Sequence, residues 1–132
     1  MPPNVLNRIK IFLIENHHSL RSLLAGFLEA QGARVFTYSV TTDAIADLTR
    51  ESPDLVLLDL IGAEVPGLQL LKQIRTFDWE SGRDTPVLAI GRLANIVGHR
   101  RASVAGFYSY LEIPFSPNQL MHAIKSALNF QS

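Results

Sequence analysis

Two hydrophobic rhythms alternate along the chain. Ile9-Lys10-Ile11-Phe12-Leu13-Ile14 is a short, almost unbroken apolar run, the pattern of a strand covered on both faces. Leu20, Leu23, Leu24, Phe27 and Leu28 then recur at helical spacing, and Gly32 is placed to stop that helix. Arg34 to Tyr38 predicts a second strand, after which Thr41 or Thr42 can cap a helix carrying Ala44, Ile45 and Leu48. Asp54-Leu55-Val56-Leu57-Leu58 predicts a third strand ending at Asp59, and Gly67 opens a helix with Leu68, Leu71 and Ile74. A polar stretch from Asp78 to Asp84 leads to a fourth strand, Pro86 to Ile90. Leu93 to Ala102 predicts a helix weakened by Asn95 and Gly98. Phe107 to Leu111 predicts a fifth, aromatic strand. Ser116-Pro117-Asn118-Gln119 then offers a capping box with proline at N1, ahead of Leu120, Ile124, Ala127 and Leu128.

Strands that alternate with helices imply an α/β domain with one parallel sheet wound on both faces, because each right-handed crossover lays a helix on one side. No repeat or linker interrupts the alternation, so residues 1–132 are expected to form a single domain with its core over about 8–130. In a doubly wound sheet of order 2-1-3-4-5, ligands bind at the carboxyl ends of the first and third strands, where the winding reverses. Glu15 and Asp59 both fall at those ends.

Composition narrows the partners. The 132 residues are 47% hydrophobic and 18% charged, enough for one ordinary core. Twelve Lys and Arg against twelve Asp and Glu leave a formal charge of zero, so no bulk basic field argues for direct contact with nucleic acid or an anionic membrane. There is no cysteine, which excludes a disulfide scaffold and a thiol nucleophile. The Met1-Pro2-Pro3-Asn4 start lacks a signal pattern, and no apolar stretch approaches the length of a membrane span. The expectation is a soluble, cytoplasmic protein.

The candidate chemistry is oxygen chemistry. Asp59 closes a buried strand, so its charge must face a cleft or a partner, and together with Glu15-Asn16 it offers oxygens to a hard cation such as magnesium. Each residue also has a plainer reading: Asp59 as a cap for its own loop, Glu15-Asn16 as a turn. His17-His18 reads as a solvated pair at a loop-helix junction, since nothing nearby has metal-ligand spacing. Arg100-Arg101 with His99 reads as a solvated helix face and, less directly, as a contact surface for an acidic partner.

With Asp59 in place, the whole chain resembles the receiver domain of bacterial two-component response regulators, whose fold is the flavodoxin-like order above. The resemblance is carried by Ile11-Phe12-Leu13-Ile14-Glu15-Asn16, by Asp54 to Asp59, by Gly67, and by Tyr110-Leu111-Glu112-Ile113-Pro114-Phe115. It implies a phosphorelay module rather than an enzyme beyond its own phosphorylation and dephosphorylation. Asp59 would accept a phosphoryl group from a histidine kinase, with magnesium held by Asp59, Glu15 or Asn16, and the carbonyl of Ile61. A cis bond before Pro114 is also implied.

The departures fall on the same chemistry. Ile113 stands where the family has a lysine, Gly91 where it has a serine or threonine, and Asn16 where it has a second acid. Ala63 stands where a proline usually follows the phosphoacceptor. Each charge-assisted contact to a phosphoryl group contributes roughly 1.5 to 3 kcal/mol, so losing lysine and hydroxyl together weakens phosphoryl stabilisation and uncouples it from the switch aromatic, Tyr110. The expectation is a receiver with a degenerate site, with weak magnesium binding and no required cofactor. Such a module would act through protein contact, with a histidine kinase, an output protein or a second copy. The surface expected for it is the 93–102 helix, the fifth strand and the final helix. The alternatives are an atypical phosphoacceptor at Asp59, and a flavin-type ligand module, for which Glu15 to Ser19 supplies no evident phosphate cradle. Arg92, beside Gly91, is a candidate stand-in for the lysine, against a default of solvent exposure.

Overall fold

The computed structural model describes residues 4–92 and 106–129. Five strands, β1 (Lys10–Ile14), β2 (Arg34–Tyr38), β3 (Leu55–Asp59), β4 (Val87–Gly91) and β5 (Ser109–Glu112), form one sheet in the order β2-β1-β3-β4-β5. Every neighbouring pair is parallel. Among the described residues four helices cover it: α1 (His18–Ala30), α2 (Thr41–Glu51), α3 (Glu64–Ser81) and α4 (Pro117–Ala127). The expected helix over 93–102 and the His99-Arg100-Arg101 cluster lie outside the described residues.

The winding makes two apolar layers. On one face Ile11, Leu13, Leu55, Leu57, Leu88 and Ile90 pack with Leu24 and Leu28 of α1 and Leu120 and Ile124 of α4. On the other, Phe12, Ile14, Val56, Leu58, Val87 and Ala89 pack with Ala44 and Leu48 of α2 and Leu70, Leu71 and Ile74 of α3. The central strands β3 and β4 are buried at every position, whereas the edge strands β2 and β5 carry exposed ones. That is why β1, β3 and β4 read as continuous apolar runs and β2 as an alternating one.

Local signals set some boundaries and not others. Ser116 makes the full capping box with Gln119, and Gly32 takes φ +97° just past the end of α1, both as the sequence predicts. Thr41 and Thr42 do not cap α2. The N-cap is Val40, with no side-chain bond, because burying Ala44 and Leu48 sets the phase of the helix and turns Thr41 inward as its first residue.

Gly67 does not open α3 either, since the helix begins at Glu64 and carries Pro66 in its first turn. There the missing N–H of proline would have had no acceptor. Gly67 matters for another reason: a side chain at this position would run into Cδ2 of Leu60. At its far end α3 takes in Asp78 to Ser81, four of the seven residues of the expected polar connection. Asp78 is fixed there by Thr85, whose N–H and hydroxyl donate to its carboxylate at 2.8 and 2.7 Å.

Candidate functional site

Parallel pairing carries the carboxyl ends of β1, β3, β4 and β5 to one edge of the sheet. Asp59 is the last residue of β3 and lies opposite Ile90, and the N–H of Leu60 donates to the Ile90 carbonyl at 2.9 Å. Glu15 follows β1, its N–H held by the Tyr38 carbonyl at 2.9 Å. Both acids are buried, Glu15 to 1% exposure and Asp59 to 9%. An interior strand can end in a carboxylate only if the charge is answered by donors, a proton or a cation.

The answers are partial. Oδ1 of Asp59 accepts the N–H of Ile61 at 2.7 Å, which makes the turn that its plainer reading anticipated. Oε2 of Glu15 accepts the N–H of His17 at 3.0 Å, whereas its Oε1 is buried without a donor. Burial pushes the Glu15 carboxyl up to about 7, helped by a side-chain hydrogen bond with Asp59 and by the charge of Asp59, against the His17 amide and the Arg21 guanidinium, which favour ionisation. Glu15 therefore keeps its proton up to near neutral pH beside the Asp59 carboxyl.

The other sequence candidates spread around this pair. Asn16 is exposed, Ile61 is 39% exposed, and no group of three or more His, Asp or Glu among the described residues could hold a metal ion. The orphaned Oε1 of Glu15 beside Asp59 still fits a hard divalent cation by donor type; Asn16 and the Ile61 carbonyl would have to complete the set. Arg92 is exposed, and no ion pair reaches Asp59 or Glu15 among the described residues.

Ile113 is half-buried against the layer beneath α1 and α4. Its N–H donates to the Gly91 carbonyl at 2.9 Å, and the Ile113–Pro114 bond is cis, as the resemblance implies. Burial, and then the charges of Asp59, Glu112 and Glu64, raise the Tyr110 phenol above its ordinary range.

Two residues that the sequence left aside help to build the site. His17 is the N-cap of α1, its Nδ1 accepting the N–H of Leu20 at 3.3 Å. Arg21, one turn into α1, donates to the Glu15 carbonyl at 2.8 Å and is the cation that acts on the Glu15 carboxyl. The position of Arg21, three and four residues after His18 and His17, was the available signal, because such residues share the first turn of a helix. No helix among the described residues is long and apolar enough to cross a membrane.

Comparison with known proteins agrees with this fold. Residues 11–125 match the model of the response regulator receiver domain. The chain is 28% identical over 123 residues to the sporulation initiation phosphotransferase F of Bacillus subtilis, covering 93% of this chain and 96% of that protein. It spans about half or less of several larger regulators that it also matches. Among solved structures it is similar to NtrX from Brucella abortus, with a TM-score of 0.78 and 29% identity over 91% of this chain and 26% of that one. At 20% identity it shares its fold, TM-score 0.83, with the receiver domain of a Saccharomyces cerevisiae response regulator solved with a histidine phosphotransfer protein, over 95% of this chain and 92% of that one. Receiver domains interact with histidine kinases or phosphotransfer proteins, and apart from phosphoryl transfer they are generally not enzymes.

Proposed function

This chain belongs to the response regulator receiver domain family, and from that premise we propose that it is a cytoplasmic two-component signalling module whose phosphorylation site is degenerate and which acts mainly through protein contact. The observation that carries the reading is the state of the two acids. Glu15 and Asp59 are neighbours with an unanswered buried oxygen on Glu15 and, among the described residues, no lysine or arginine paired with either carboxyl, so Glu15 holds a proton where phosphoryl chemistry needs a cation. Ile113, at the family's lysine position, packs into the apolar layer instead. Magnesium would have to displace the Glu15 proton, which makes its binding weak at neutral pH. The partner is a histidine kinase, a phosphotransfer protein, an output protein or a second copy.

A second reading, Asp59 as a slow phosphoacceptor, is favoured by the position of Asp59 at the ligand-binding edge of the sheet. It also draws on the near full-length similarity to the sporulation phosphotransferase. Incubation with acetyl phosphate and magnesium, followed by intact-mass measurement, separates the two. The degenerate reading expects no stoichiometric adduct, and a clean phosphoryl adduct that is lost in Asp59→Asn would replace it with the second.

A further inference from the structure

Gly91 and Tyr110 meet at the acid edge in a way that neither residue announces alone. Ala89 of β4 lies opposite Tyr110 of β5, and Gly91 lies opposite Glu112, so Ala89, Gly91 and Tyr110 share the face of the sheet covered by α2 and α3. The Tyr110 side chain runs along that face and over Gly91. A methyl group built on Gly91 would overlap the phenol oxygen and stand 2.7 Å from Cζ and 3.2 Å from Cε1. Gly91 has no positive φ to require glycine, so the conflict is with the ring and not with the backbone. Any side chain at position 91 would drive Tyr110 out. The phenol tip therefore fills the side-chain space of Gly91, the last residue of β4 and one residue past the partner of Asp59. Its raised proton affinity, due to burial and then to the charges of Asp59, Glu112 and Glu64, keeps it a neutral donor among acids.

We propose that Tyr110 is a binding residue of the Asp59 site, its hydroxyl donating to a tetrahedral oxyanion held on Asp59, and that Gly91 is the positioning residue that admits it. The two residues are then one device: the hydroxyl that position 91 cannot supply arrives from β5. The ligand half of this inference rests on the second reading above, Asp59 as a slow phosphoacceptor, whereas the placement of Tyr110 does not.

The test has two arms. Tyrosine labelled with carbon-13 at Cζ gives signals for Tyr38, Tyr108 and Tyr110, and Tyr110→Phe identifies the third. In the unliganded protein the Tyr110 phenol is expected to titrate above ordinary tyrosine. Its midpoint should fall in Asp59→Asn, and fall again in Gly91→Ala as the ring is expelled. A Tyr110 signal that ignores both substitutions overturns the placement.

In the second arm, beryllofluoride with magnesium serves as the phosphoryl mimic. Tyr110→Phe and Gly91→Ala should each weaken the adduct roughly tenfold, the effect of one hydrogen bond to a charged group. The double variant should lose no more than either single one. An adduct as tight in Tyr110→Phe as in the unsubstituted protein overturns the donor role. No adduct in the unsubstituted protein overturns the phosphoacceptor reading and the ligand half with it, while the titration still decides the placement.

Discussion

The sheet has two ends, and each buries a carboxylate. At the amino end, Asp78 is 5% exposed and fully answered: Arg75 donates to it at 2.9 Å, and Thr85 donates both its N–H and its hydroxyl. Around it Arg75 also binds the carbonyls of Thr85 and Gly106, Arg83 binds those of Ser52 and Pro53, and the N–H of Lys10 donates to Asp54 at 2.8 Å. At the carboxyl end, Glu15 is more deeply buried yet has one amide donor, an acid for a neighbour and an oxygen with no donor. One end stitches the loops to the sheet. The other holds a buried carboxyl that no ion pair answers among the described residues, and such a group persists where a ligand, a proton or a partner completes it.

This contrast breaks most readily at the stitched end. Asp78→Ala leaves Arg75 and both Thr85 donors without their acceptor, and is expected to cost about 3 kcal/mol in urea unfolding. Asp78→Asn, which keeps an acceptor oxygen, should cost less. A loss below about 1 kcal/mol in Asp78→Ala would mean that the two ends are not energetically different.

The acid end sharpens the comparison through pH. The folded-state value of Glu15, about 7, lies above its ordinary 4.5, so between those values the folded protein binds more protons than the unfolded chain. The stabilisation is fully present below about 4.5 and is lost as pH rises through about 7, on the order of 3 kcal/mol. In metal-free buffer Glu15→Gln should flatten this dependence and be more stable than the unsubstituted protein at pH 8. Parallel pH profiles for the two would count against a proton held on buried Glu15. Isothermal titration with magnesium provides the companion measurement, expected to show affinity weaker than about 1 mM at pH 7. Tight binding that vanishes in Glu15→Gln would contradict the degenerate site.

The smallest effect is expected beside the acids. Arg92 is exposed and makes no ion pair with Asp59, so Arg92→Ala should change stability by less than about 0.5 kcal/mol at every pH. A pH-dependent loss that disappears when Asp59→Asn is added would make Arg92 the cation of the site after all.

Strand and helix periodicity, the capping box at Ser116 and the stop at Gly32 were legible in the chain because each is decided by residues within one or two turns of one another. A parallel sheet wound on both faces followed from alternation and the handedness of crossovers, and the order that brings Glu15 and Asp59 to one edge was what the receiver resemblance implied. Misread signals had local chemistry that packing overrode. Thr41 looks like a cap but is turned inward by the phase of α2, Gly67 looks like the opening of a helix that in fact starts at Glu64 with Pro66 in its first turn, and Asp78 to Ser81 looks like a loop until Thr85 binds Asp78.

What no local pattern contains is the state of the acid edge. The Glu15 carboxyl meets that of Asp59 from 44 residues away, and the Tyr110 ring reaches Gly91 from the neighbouring strand. Sequence alone determined which residues arrive at the edge, since strand phase and topology fix that. Whether they arrive as paired charges, a carboxyl that keeps its proton or a ring over a glycine was decided only by tertiary structure, because burial and ångström-scale distance between remote segments set the energy of a charge.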